Sequence, residues 1–179
     1  QVFDALTKGA KRYGHKLISA SASEGTLGRQ HLFELLDLVD QSDYIYILET
    51  NGMTIGNDKE FAEQLAQFKN LHVRVSIKGT NQDEYHQLTN AIPTSYELPF
   101  KALKYLIDAK VSCNACVMIS FSDEAGIQAV EKKLFETHPG LLKSLEKEHI
   151  TPFPKVAKRL SKNGLKPNSI AFKGNVVNL

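Results

Sequence analysis

The chain switches repeatedly between two hydrophobic rhythms, and that alternation constrains its fold more than any other feature. Tyr44 to Leu48, YIYIL, is an unbroken apolar run rich in aromatic and β-branched residues. Such a run suits a strand covered on both faces, as in a parallel sheet. His15 to Ala20, Leu71 to Ile77 and Val111 to Phe121 read as further strands. Helical stripes lie between them. Phe3, Leu6 and Ala10 share one side of a helix that stops at Gly14, and Leu32, Leu35, Leu36 and Val39 share one side of 27–39. Phe61, Leu65 and Phe68 mark 57–68, and Asn81 caps a short helix over 81–88 with Glu84 three residues on. After the break at Pro93, Leu98, Ala102, Leu103 and Leu106 mark 95–109, and Ile127, Val130 and Leu134 mark 123–137. A further helix is expected over 140–147, a last strand at ITPFP (150–154) and a short helix at 156–160.

Strand, helix, strand, helix is the order of βα units joined by right-handed crossovers. Four or five strands are too few for a closed eight-stranded barrel. The expected class is therefore α/β, an open or partial (βα) barrel with parallel strands, over residues 1–150. Residues 151–179 are set apart as a basic C-terminal segment. Between Ile150 and Leu179 stand Lys155, Lys158, Arg159, Lys162, Lys166 and Lys173 and no acid, against a net charge of +2 for the whole chain. A basic tail can attract a polyanion, but a solvated helix face is the simpler account, and nucleic acid is not expected as a partner. With 42% hydrophobic and 23% charged residues the chain is not expected to be disordered, and its uncharged stretch Val111 to Ser122 is too short and too polar to span a bilayer. Two cysteines, Cys113 and Cys116, exclude a disulfide scaffold. A cytoplasmic protein is the expectation. Residue 1 is Gln, so sequence upstream is also expected.

In parallel α/β folds, ligands sit at the carboxyl ends of the strands. The segments directly after the predicted strands are therefore the informative ones. After the first comes Ser21-Ala22-Ser23-Glu24-Gly25-Thr26, after the second Glu49-Thr50-Asn51-Gly52, and after the third Ser76-Ile77-Lys78-Gly79-Thr80. Each carries a charge, a hydroxyl and a glycine. Two carboxylates and an ammonium on one rim suit a zwitterionic ligand with hydroxyls. No phosphate-binding loop, nucleophile elbow or H-E-x-x-H spacing occurs, and no catalytic residue is readable.

The segments SASEGTLG (21–28), LETNG (48–52), LHVRVSIKGT (71–80), DEYHQLTNAIP (83–93) and VSCNACVMISFS (111–122) together resemble the radical S-adenosylmethionine (SAM) superfamily. The similarity is to its pyruvate-formate-lyase-activating-enzyme-like subgroup and runs over about residues 1 to 165. The resemblance implies that Glu24, with Thr26 beside it, contacts the methionine amino group of SAM. It implies that Glu49, Thr50 and Asn51 lie near the ribose, and that Ser76 and Lys78 face ribose or carboxylate. Arg74, two residues before Ser76 on the same strand face, reaches the same cleft in this reading. His86, in the shared run, is the one histidine offered to that cleft. The resemblance further implies a [4Fe-4S] cluster, a reductant protein and a protein or small-molecule substrate.

Two departures stand out. The family's C-x3-C-x2-C cluster motif is absent, and Cys113 and Cys116 sit mid-strand at a spacing that sends them to opposite faces. Ala22, Ser23 and Gly25 replace the two glycines and the proline of the family's Gly-Gly-Glu-Pro segment. The chain is thus expected to be a fragment or incomplete copy of a radical SAM enzyme. It would generate a 5′-deoxyadenosyl radical only with a cluster region upstream, and be inactive alone. The competing reading is a non-catalytic, cluster-less domain that binds a nucleotide or a polyanion.

Overall fold

The computed structural model describes residues 1–20 and 23–179. Ser21 and Ala22, and with them half of the altered Ala22-Ser23 pair, lie outside the described residues. In chain order the elements are α1 Val2–Tyr13, β1 Leu17–Ile18, α2 Arg29–Asp40, β2 Ile45–Thr50, α3 Met53–Asn57, α4 Lys59–Leu65, β3 Leu71–Lys78 and α5 Gln82–Thr89. They continue with α6 Leu98–Asp108, β4 Cys113–Met118, α7 Glu124–Thr137, β5 Glu146–Glu148, α8 Pro154–Lys162, β6 Ser169–Phe172 and β7 Asn175–Asn178. Among the described residues, β1 to β5 follow chain order in one parallel sheet, and β6 and β7 form an antiparallel pair. This is the α/β, open-sheet form of a partial (βα) barrel that the hydrophobic rhythm implies. The chain divides into two compact units, Gln1–Ser76 with Glu97–Ala115, and Ile77–Tyr96 with Cys116–Leu179.

In the first unit, the stripe Leu32, Leu36 and Val39 buries one face of α2, while Leu48, Val73 and Val75 bury one face of β2 and β3. Each such side chain contributes roughly 1.5–3 kcal/mol by leaving water. The helix expected over 57–68 is α4, shorter than the stripe and ending at Leu65, and the Asp58 carboxylate caps it by accepting from the Phe61 N–H at 3.2 Å. That cap starts α4 directly after the short helix α3, for which the apolar stripe gives no signal. Asp58 also pairs with Arg29 at 3.0 Å, and the Arg29 guanidinium lies 4.3 Å from the Phe61 ring centroid. This ties the start of α2 to α4. Helix α3 approaches the start of α6 so closely that a Cβ on Gly56 would collide with the Leu98 carbonyl.

The second unit buries Ile77, Val117, Val130, Leu134 and Leu141. Here the structure corrects several expectations. The helix expected over 140–147 is a 3-10 turn, Pro139–Ser144, followed by β5. Strand β5 reads Glu-Lys-Glu and carries no apolar signal. Backbone pairing to β4, in register Cys116↔Glu146 to Met118↔Glu148, makes it a strand. ITPFP is not a strand, because Phe153 is the N-cap of α8. The weakly patterned end holds the β6–β7 hairpin, turned at Lys173 and Gly174, both with positive φ. Residues beyond 150 are bonded into this unit: Asn168 N–H donates to the Ser120 carbonyl at 2.6 Å and Ala171 N–H to the Ile150 carbonyl at 3.0 Å.

Gly56→Ala should destabilise the chain by about 1–3 kcal/mol or more, since the obstructing atoms are backbone and cannot rotate away. Urea unfolding checks this: the midpoint should fall while the slope is unchanged.

Candidate functional site

The loop after β1 and the end of β2 meet at one carboxylate. Glu24 Oε1 accepts from Thr26 Oγ1 and Thr50 Oγ1, both at 2.7 Å, and from the Thr26 N–H at 3.4 Å. Its Oε2 accepts from the Asn51 N–H at 2.8 Å. Thr54 Oγ1 lies 3.1 Å from Thr26 Oγ1. Thr26 and Thr50 are buried, and buried hydroxyls need partners, which Glu24 supplies. Thr50 accepts in turn from the Gly52 N–H at 3.1 Å, and Asn51 Oδ1 from the Met53 N–H at 2.9 Å. Gly52 has a φ of 74°, and a Cβ there would stand 3.0 Å from Pro99 Cα and from Val75 Cγ1. A left-handed turn pressed against two other segments leaves room only for glycine.

Glu49 and Arg74 form a second group. They are register partners on β2 and β3, and Arg74 Nη1 donates to Glu49 Oε1 at 2.6 Å. Alternation along β2 puts Glu49 on the face opposite Leu48 and Thr50. The half-exposed positions of β3 are His72, Arg74, Ser76 and Lys78, against fully buried Leu71, Val73, Val75 and Ile77. Behind this row, burial raises the pKa of Tyr46, a hydrogen bond with the Ala20 backbone opposes the shift, and the Glu49 charge adds to it.

The structure therefore brings Glu24, Thr26, Thr50 and Asn51 into one hydrogen-bonded cluster and pairs Glu49 with Arg74. Lys78, expected to face ribose or carboxylate, pairs with Glu148 at 3.6 Å within the second unit. His86 is exposed and engages the Ala91 carbonyl at 2.8 Å. Two groups are not apparent from the sequence. His72 meets Ser112 Oγ at 2.8 Å and Asn114 Oδ1 at 2.9 Å, a role hinted at only by the alternation of polar residues along β3. Glu84, expected only as part of a helix cap, also takes the Thr80 N–H at 2.8 Å and the Ser122 hydroxyl at 2.6 Å on Oε2. Asn81 does cap α5, accepting from the Glu84 N–H at 2.9 Å.

The two thiols do not fit an iron–sulfur cluster. Cys116 is buried, and burial pushes the Cys113 thiol from an ordinary 9.0 up to about 11. Cluster irons take thiolates, and among the described residues no three His, Cys, Asp or Glu side chains gather to hold a metal ion.

The family model of the radical SAM superfamily matches residues 1–133, and the chain belongs to that superfamily. Solved structures share the fold. One, native anSMEcpe with bound AdoMet and Cp18Cys peptide, is 22% identical with a TM-score of 0.57, over 74% of this chain and 37% of that one. Another, native anSMEcpe with bound AdoMet, is 16% identical with a TM-score of 0.56, over 93% of this chain and 53% of that one. The chain thus spans about half or less of the length of these solved chains. No curated protein matches the chain. Among the described residues no helix is long and apolar enough to cross a membrane.

Anaerobic reconstitution of this chain should yield no stoichiometric four-iron cluster by iron and sulfide analysis. At pH 8, iodoacetamide should label Cys113 far more slowly in the folded chain than in urea, because the thiolate fraction is suppressed. Equal rates in both would show an accessible, ordinary thiol.

Proposed function

We propose that this chain supplies the S-adenosylmethionine-binding part of a radical SAM enzyme. The observation that carries the reading is the Glu24 cluster at the ends of β1 and β2. A carboxylate has about four lone-pair sites. Three donors crowd Oε1, whereas among the described residues Oε2 accepts only the Asn51 N–H, which leaves acceptor capacity for an ammonium such as the methionine amino group. These donors are hydroxyls and backbone N–H groups, which carry no charge, so the charge of Glu24 remains available to a ligand. Glu49 is 41% exposed and uses Oε1 for Arg74, so its other oxygen suits a ribose diol. Ser76 and Arg74, in the same compact unit, enter as further candidates, Arg74 for the ligand carboxylate. Membership of the superfamily and the AdoMet named in the solved neighbours support this choice of ligand.

Reductive cleavage of SAM to a 5′-deoxyadenosyl radical is the reaction such an enzyme would perform. It depends on a cluster whose thiolate ligands Cys113 and Cys116 do not provide, so the residues here are assigned binding and orientation alone. A reductant and a peptide or small-molecule substrate belong to the same reading.

Isothermal titration of the folded chain with SAM should show saturable binding at one site. Glu24→Gln should weaken it at least about tenfold, as expected when a hydrogen bond to a charged group is lost, with the melting temperature shifted by only a few degrees. Undetectable SAM binding by the wild-type chain, or an unchanged affinity in Glu24→Gln, would sink the assignment.

A further inference from the structure

The second unit carries a cleft of about 290 Å³. Glu84, Gln87 and Leu88 line it from α5, Phe121 from the loop after β4, and Leu165 and Lys166 from the segment after α8. All of them belong to the same compact unit, so the cleft is complete within it. Its walls are fixed by hydrogen bonds. Helix α8 stops at Gly164, which has a φ of 65°. There the Leu165 N–H donates to the Leu160 carbonyl at 3.0 Å and the Gly164 N–H to the Ser161 carbonyl at 3.2 Å, the pairing that ends a helix and turns the chain away from its axis. Asn168 fastens the far side of this turn. Its N–H donates to the Ser120 carbonyl at 2.6 Å, and its side-chain amide to the Phe121 and Ser122 carbonyls at 3.3 and 3.1 Å. Leu165 and Lys166 are thus carried between two anchored points.

Glu84 is held as firmly. Its Oε2 accepts from the Thr80 N–H at 2.8 Å, the Thr80 hydroxyl at 3.1 Å and the Ser122 hydroxyl at 2.6 Å. Its Oε1 accepts, among the described residues, only from the Asn81 side-chain amide at 3.3 Å, so acceptor capacity remains there. Every one of these donors is neutral and leaves the carboxylate charge uncancelled. Lys166 is exposed, and among the described residues neither Glu84 nor Lys166 enters an ion pair. A carboxylate and an ammonium therefore line one cleft without neutralising each other. Beside them stand Leu88, Phe121 and Leu165, all half-buried, which offer apolar surface. Pockets for drug-sized ligands occupy roughly 300–1,000 Å³. A cleft at the lower bound takes a molecule of amino-acid size and is too small for a nucleotide.

We infer that this cleft is a binding site for a small zwitterion, an α-amino acid with an apolar side chain. Its ammonium is taken by Glu84, its carboxylate by Lys166, and its side chain lies on Leu88, Phe121 and Leu165. The Gln87 amide adds a donor and an acceptor for the same polar end. Walls fixed beforehand spare the ligand the cost of ordering a loop. The inference goes beyond the SAM-binding reading and does not rest on it, because no residue of the Glu24 cluster takes part.

The test is an amide NMR titration of the full, isotope-labelled chain with three probes: L-leucine, leucinamide, which lacks the carboxylate, and isocaproate, which lacks the ammonium. L-Leucine should shift the Leu88, Phe121 and Leu165 amides saturably. Leucinamide should bind about three- to fivefold more weakly, the scale of an exposed ion pair. Isocaproate should bind at least about tenfold more weakly, as when a hydrogen bond to a charged group is lost. Lys166→Met should weaken L-leucine by the same factor as the missing carboxylate and leave leucinamide unchanged. Glu84→Gln should weaken L-leucine and leave isocaproate unchanged. Because Glu84 also serves the buried Thr80 and Ser122, Leu165→Trp is the second variant. It fills the cleft without touching either charge and should abolish the shifts while amides elsewhere keep their positions. Absence of saturable L-leucine shifts at these amides in the wild-type chain overturns the site. So does an L-leucine affinity unchanged in both Lys166→Met and Leu165→Trp.

Discussion

A single carboxylate holds the end of the second strand to the loop that follows the first. Glu24 is bound by hydroxyls and backbone N–H groups, all of them neutral. Neutral donors can satisfy an anion's hydrogen bonds without cancelling its charge. That combination fixes the local geometry and keeps a negative field at the strand ends. Loss of Glu24 would take the acceptor from the buried Thr50 hydroxyl, at a cost of about 1–3 kcal/mol for the unsatisfied group, and would leave Thr26 only its longer bond to Thr54. The same contacts that position the loop are therefore contacts the fold needs.

Charge elsewhere on the sheet is handled differently. Glu49 and Arg74 cancel one another across adjacent strands, and Lys78 and Glu148 do so across a strand. Their common origin is the strict alternation of β3, in which every second residue is apolar and fully buried. A parallel sheet covered by helices on one face leaves the other face for polar work, and β3 writes that division directly into its sequence. The branched residues Val73, Val75 and Ile77 fill the helix side, and His72, Arg74, Ser76 and Lys78 occupy the other.

Strand order and helix stripes are legible in the sequence because hydrophobic periodicity governs both. The same signal carries Glu24, Thr50, Asn51 and the β3 row to the strand ends. Elements without an apolar rhythm are not legible. Glu146, Lys147 and Glu148 form a strand only because β4 offers them a backbone edge. The β6–β7 hairpin depends on two residues with positive φ, and only Gly174 advertises one. Partner choice is hidden as well. Lys78 reaches Glu148, 70 positions away, through a neighbour relation that depends on β5 being a strand at all. A helix over 140–147 would leave Glu148 outside the sheet, with no reason to meet Lys78.

The hairpin also shapes how the chain behaves in a tube. Leu179 N–H donates to the Asn168 carbonyl, so by antiparallel alternation Val177 and Asn175 turn their backbone groups toward β6. Val176 and Asn178 then turn theirs outward, on a strand whose four residues are all exposed. Val176 and Val177 stand on opposite faces of it at 56% and 40% exposure, and Lys173 is the hairpin's sole charge. Proteins usually blunt such an edge with charge, proline or a bulge. An unguarded edge with apolar flanks is a template for strand-to-strand association, so concentration and ionic strength would govern how long this polypeptide stays monodisperse.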